Sequence, residues 1–192
     1  MKSKCQWQLE MAACLTVVGI LSSAPLAIAQ NITLDGTLGP AQTLTGPTYL
    51  IRQVDGTTVG SNLFHSFGRF NLSAGEVANF QSAANIRNIL SRVTGGSPSS
   101  IDGLIFTQSP NVNLFLINPG GIIFGPNARL NIGGSTRGSF VATTVDALVW
   151  PNGAQFSATV PGRPDSLLTI VGDPSGFLAA QRLPQPINHL FR

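Results

Sequence analysis

The sequence predicts an all-β fold built as a solenoid of short strands, and three observations carry that reading. First, only 10% of the 192 residues are charged, while 21 glycines and 13 prolines punctuate the chain. An ordinary globular domain is about 25% charged, so strands and tight turns suit this composition better than solvated helices do. Second, short apolar runs recur with a Pro-Asn turn behind them. Third, several of those runs are apolar without alternation, as in strands covered on both faces.

Residues 1–29 are set aside first. Lys2 and Lys4 make a basic start, and an apolar block from Met11 to Leu21 follows, broken only by Thr16 and Gly19. Pro25 ends it, and Ala27-Ile28-Ala29 forms a small-x-small site before Gln30. This is the pattern of a secretory signal peptide cleaved after Ala29. The block falls short of the roughly 20 apolar residues that a membrane span needs. Cleavage would remove both cysteines, Cys5 and Cys14, and both lysines. The remaining chain carries nine arginines against seven acids, for a net charge of +2. Those arginines are scattered, with no basic patch interleaved with aromatics, which argues against nucleic acid. Without cysteine a disulfide scaffold is excluded.

Residues 30–100 are the less regular part. Thr48–Arg52 and Ser61–Phe67 read as strands, with Phe64, Phe67 and Phe70 as packing residues. Asn85–Val93 is open between a strand and one or two helical turns, because Ile86, Ile89, Leu90 and Val93 have helical spacing. An open solenoid end exposes backbone donors and apolar core, so this irregular part is expected to supply the cover.

The second half holds the repeats. Gly103–Phe106 precedes Pro110-Asn111 and Leu114; Gly121–Phe124 precedes Pro126-Asn127 and Leu130; Ala147–Trp150 precedes Pro151-Asn152 and Phe156. The runs start 18 and 26 residues apart, near the period of a β-solenoid. Pro presets φ for a turn, and Asn tolerates the left-handed conformation after it. Leu114-Phe115-Leu116-Ile117 is the clearest continuous run, and an added hairpin or loop outside the coil would cover its second face. Asn111 and Asn131 stand about one coil apart, where stacked amides form ladders, although as a single pair they read better as turn residues. Gly120, Gly121, Gly133 and Gly134 are expected at left-handed or crowded positions.

Catalytic, cofactor-binding and metal-binding residues are all expected to be absent. Only His65 and His189 are present, with no H-x-x-H spacing and no cysteine left to complete a zinc site. Ser66 beside His65 points to the opposite strand face. The seven acids are far apart and form no calcium loop. A secreted β-helix enzyme acting on polysaccharide, which needs clustered carboxylates, stays as the alternative function, together with a structural envelope protein.

Four ordered blocks, GSNLFHSFGRFNLSAGEVANF, ANIRNILSRVTGGSPSSIDGLI, NLFLINPGGIIFGPNARLNIGG and GSFVATTVDAL, resemble the filamentous haemagglutinin N-terminal domain. This is the two-partner secretion domain, also called the haemagglutination activity domain. The resemblance covers about Asn31 to Pro186. It implies a right-handed parallel β-helix with an N-terminal cap and extra-helical strands. It also implies a secretion-recognition module at the front of an adhesin-like or haemagglutinin-like exoprotein. Such a protein passes the periplasm of a Gram-negative envelope and ends secreted or at the cell surface. Its partner would be an outer-membrane β-barrel transporter with periplasmic polypeptide-transport modules. The family hallmark Asn-Pro-Asn-Gly-Ile falls on Asn118, Pro119, Gly120, Gly121 and Ile122, where Gly120 replaces the Asn. Both residue types tolerate positive φ, so the resemblance implies that the turn survives as the surface met by the transporter. A second hallmark, Asn-Pro-Asn-Leu, is replaced by Ser82–Asn85. The expected organisation is a signal peptide over 1–29, the secretion domain over 30–186 and a short tail over 187–192. The stop at Arg192 reads as a truncated exoprotein, with a split gene or a stand-alone secretion domain as the alternatives. Contact with a host or neighbouring cell would then belong to a missing C-terminal passenger.

Overall fold

The computed structural model describes residues 31–134, 138–162, 164–179 and 187–189. Two short strands open the fold, β1 (Ile32–Leu34) and β2 (Gln42–Thr43). Next come β3 (Thr48–Ile51), a 3-10 turn over Gln53–Asp55, β4 (Thr57–Val59) and the long β5 (Asn62–Phe70). The coils then run through β6 (Val77–Phe80), β7 (Asn88–Val93), β8 (Ser99–Ile101) and β9 (Leu104–Thr107). They continue through β10 (Asn113–Ile117), β11 (Ile122–Phe124), β12 (Arg129–Asn131) and β13 (Phe140–Thr143). A strap follows, with β14 (Ala147–Val149), β15 (Gln155–Ser157), a 3-10 turn over Pro164–Leu167 and β16 (Gly176–Leu178). Strand β17 (Ile187–His189) returns to the coil.

The strands stack as a β-solenoid of about four turns. Sheet A is β5-β7-β10-β13, sheet B is β3-β6-β9-β12, and sheet C is β8-β11-β17, each parallel. In sheet A, Leu63, Ile89, Leu114 and Phe140 are in register, so the coil period there is 25–26 residues.

Each sheet sends alternate side chains inward. Sheet B shows this plainly: Tyr49, Ile51, Ala78, Phe80 and Ile105 are buried while Thr48 and Leu50 face water. Sheet A is buried on both faces. Leu63, Phe67, Ile89, Val93, Leu114 and Leu116 enter the core inside the coil. Phe64, Leu90 and Ile117 point outward, into a second core with Leu148, Trp150, Phe156, Leu167 and Ile170 of the strap. The continuous apolar run at Leu114–Ile117 therefore has the cause the sequence suggested. The open choice at Asn85–Val93 resolves to a strand, because a strand covered on both faces needs apolar residues at odd and even positions alike.

The N-terminal segment caps sheet A. Strand β1 pairs antiparallel with β5, β2 with β1, and β4 with β5. This covers an edge that would otherwise present unpaired backbone groups.

The sequence repeat needs correction. Its three copies fall in three different places: Gly103–Phe106 in sheet B, Gly121–Phe124 in sheet C, and Ala147–Trp150 in the antiparallel strap. They are not stacked equivalents, because Pro-Asn suits any corner. Asn111 and Asn131 do not stack either. Asn111 takes a left-handed φ of 55° at a turn, and Asn131 pairs with Phe106 in sheet B.

Candidate functional site

The segment 118–122 forms the corner between sheets A and C. Strand β10 ends at Ile117, and Asn118 is fully buried. Its Oδ1 accepts the Gly120 N–H at 2.8 Å, and its carbonyl accepts the Gly121 N–H at 3.0 Å. Its Nδ2 donates to the Ser97 carbonyl at 3.0 Å and to Ser99 Oγ at 2.9 Å, one coil back. Its backbone N–H donates to the Thr143 carbonyl at 3.0 Å, one coil forward. One side chain thus closes its own turn and fastens it to the corner before it. Ile122 is fully buried in the inner core.

The two glycines have different reasons. Gly121 takes φ 113°, a region that favours glycine. Gly120 does not have positive φ; a Cβ there would stand 2.7 Å from the Gly96 carbonyl oxygen. Close approach of two coil corners, not a left-handed backbone, therefore explains glycine at the third hallmark position. Of the five residues, only Pro119 and Gly120 of the turn's tip and no part of Asn118 reach solvent to an appreciable degree.

Asn118→Ala should cost about 2 kcal/mol, since it removes three hydrogen bonds and strands the buried Ser99 hydroxyl. A melting curve should show a drop of roughly 4–8 °C.

Two further arrangements tie the corner's sheet together. The first is a ladder of asparagines along sheet A. Asn88 Nδ2 donates to Asn62 Oδ1 at 2.9 Å, and Asn113 Nδ2 donates to Asn88 Oδ1 at 3.0 Å. Ser139 N–H continues the ladder onto Asn113 Oδ1 at 3.1 Å. The strap completes it: Asn62 Nδ2 donates to the Gly172 carbonyl at 2.8 Å, and Asn88 Nδ2 to Asp173 Oδ1 at 2.7 Å.

The second is a buried arginine. Arg92 is only 1% exposed and lies on the outer face of sheet A. Its Nε donates to Ser66 Oγ at 2.8 Å, and its Nη1 to the Ser157 carbonyl at 2.8 Å. Its Nη2 donates to Thr37 Oγ1 at 3.0 Å and to the Gly162 carbonyl at 3.1 Å. The guanidinium lies 4.8 Å from the centre of the Phe156 ring. Burial lowers the Arg92 pKa to about 10, against the opposing pull of Asp35, so it stays charged at neutral pH. Asp35 balances it through shared hydroxyls, accepting from Ser66, Thr37 and Thr94 at 2.6–2.8 Å. Burial alone would raise the Asp35 pKa, but these donors outweigh it and hold the carboxyl below its ordinary value. Cap, coil and strap therefore meet on one cation.

The acids are engaged in structure. Asp55 pairs with Arg52 at 2.8 Å. Glu76 accepts from Tyr49 and Asn31, and Asp102 accepts from Asn127. Among the described residues, no three His, Cys, Asp or Glu side chains stand close enough to hold a metal ion. His65 and Ser66 face opposite sides of sheet A, and Ser66 serves Asp35. No helix among the described residues is long and apolar enough to cross a membrane. Ala27, Ala29, Gln30 and the His189 side chain lie outside the described residues.

Comparison with known proteins adds one match. The family model described as the TPS secretion domain matches residues 30–187. No curated protein and no solved structure matches the chain.

Proposed function

The chain belongs to the two-partner secretion (TPS) domain family, and from that membership we propose how it is used. It is a recognition module for two-partner secretion, and its partner is an outer-membrane transporter. In our reading residues 1–29 direct the chain to the periplasm and are removed after Ala29. The domain over 30–186 then meets the periplasmic polypeptide-transport modules of the partner barrel, and the short segment 187–192 that follows lays β17 back on the coil. The exoprotein is of the adhesin or haemagglutinin kind, delivered outside a Gram-negative cell. Contact with other cells belongs to sequence beyond this domain.

The observation that carries this reading is the extent of the match. It runs through cap, coils and strap alike, and the corner at Asn118–Ile122 lies within it. The corner offers the transporter the half-exposed tip at Pro119-Gly120, while Asn118 sets that tip from beneath.

The test is co-expression with a partner transporter, measuring the ratio of protein in the medium to protein in the periplasm. Secreted protein should begin at Gln30 by N-terminal sequencing. Pro119→Ala should lower the ratio severalfold while leaving the melting curve within about 2 °C. An exported chain that still begins at Met1 would overturn the processing step. Unchanged export of the Pro119 variant would remove the tip from the recognition surface.

A further inference from the structure

His65 is a histidine that the fold buries without using. It sits on β5, inside the coil, with no solvent exposure. Neither ring nitrogen makes a well-aligned hydrogen bond, although the Asp55 backbone lies close to the ring. A neutral imidazole has one donor and one acceptor to satisfy, so leaving at least one bare is costly. The ring packs edge-on to Phe80 at 5.9 Å and tilted to Phe67 at 6.1 Å. The cap closes over it. A Cβ on Gly56 would stand 2.7 Å from His65 Nδ1, so the backbone leaving the 3-10 turn lies against the ring.

The surroundings are nearly devoid of compensating charge. From the cap, Asp55 faces the ring, but Arg52 and Gln42 already engage that carboxylate. From β7, the register partner is Ser91, whose hydroxyl is also buried without a partner. From β6 the contact is Phe80. Asp35 and Arg92 lie on the other face of the sheet, committed to one another through Ser66 and Thr37.

We propose that His65 is an acid-sensitive catch on the N-terminal cap: neutral, it lets β4 and the 3-10 turn close over the first coil, and protonated, it must leave the core, so the cap opens. This holds whether or not the secretion reading does, because it rests on the packing of the first coil.

The direction follows from linkage. Burial lowers the His65 pKa from 6.5 to about 4, with Asp55 opposing the shift. The unfolded chain therefore binds a proton that the folded chain refuses. Stability is complete above pH 6.5 and falls as pH drops from 6.5 towards 4. The carboxylates with lowered pKa, Asp35, Asp55 and Glu76, withdraw their stability only below their unfolded values near 4. The two windows overlap only below about pH 5, so a comparison of pH 7.5 with pH 5.0 reads chiefly the histidine.

Urea unfolding of the mature chain at pH 7.5 and 5.0 tests this. The wild-type folding constant should fall about thirtyfold between those values. His65→Asn and His65→Phe should each lose less than about threefold. Hydrogen exchange should show protection lost first in β1 and β4 and last in β10. Equal pH dependence in the wild type and a folded variant would overturn the proposal, as would uniform loss of protection. Should neither variant fold, the wild-type imidazole resonances decide. A His65 ring still neutral at pH 5.0 supports the catch; one that titrates near 6.5 in the folded protein overturns it.

Discussion

Arg92→Ala is expected to destabilise the domain by about 3–5 kcal/mol, the cost of breaking a buried charge arrangement from one side. Four hydrogen bonds vanish together, and two of their acceptors are strap carbonyls. Phe156 also loses the cation over its ring. The melting temperature should fall by roughly 10–15 °C, and proteases should cut the strap before the coil. Arg92→Met separates charge from volume. It keeps an apolar stem against Phe156 and removes the desolvated cation, so it should cost less than the alanine. Equal losses would mean that the hydrogen bonds, and not the filled space, explain the arginine, whereas a methionine variant as stable as the wild type would mean the reverse. Acid should weaken the same junction. The folded Asp35 pKa is lowered, so its contribution is present above about pH 4 and is lost as pH falls through the lower folded value.

Asn88→Ala should cost about 3 kcal/mol, more than loss of either neighbouring asparagine. Asn88 is the central rung: it donates to Asn62 and Asp173 and accepts from Asn113. Removing it strands Asn62 Oδ1 and Asn113 Nδ2 in a buried row, at about 1–3 kcal/mol for each unsatisfied group. Asn88→Asp is the sharper variant. A carboxylate cannot donate, and it would face Asn62 Oδ1 and the Asp173 carboxylate with lone pairs on both sides. It should be less stable than the alanine at pH 7 and recover part of that loss near pH 4, where protonation restores one donor. Denaturant midpoints at the two pH values check this. An aspartate variant as stable as the wild type at pH 7 would show that the ladder contributes nothing.

The coil was legible in the sequence where burial forces a pattern. The unbroken run Leu114–Ile117 announced a strand covered twice, and the strap supplies the second cover. The period was misread because Pro-Asn marks corners of every kind. A better signal was present. Asn62-Leu63-Phe64, Asn88-Ile89-Leu90 and Asn113-Leu114-Phe115 repeat an amide, an inward aliphatic and an outward bulky residue, and these are the residues in register. Of the hallmark corner, the sequence marked the turn but not its depth. That Gly120 answers to Gly96 is a contact between coils, invisible along the chain. Arg92 gave no local sign, since one arginine in a strand reads as a solvated residue. Its acceptors lie as far as 70 residues away, at Gly162.

That distance has a consequence in time. Neighbouring rungs close loops of about 26 residues, whereas Asn62 reaches Gly172 over 110 and Asn88 reaches Asp173 over 85. Loop-closure entropy grows with the logarithm of length, so the strap's tether costs only about 1 kcal/mol more than a coil's. The larger effect is order of arrival. A chain delivered amino end first can wind each coil as it appears, but the outer face of sheet A keeps an uncovered Phe64, Leu90 and Arg92 until residues near 160 have followed. The fold is therefore finished by its late segment, since the outer core of sheet A closes only when the strap docks.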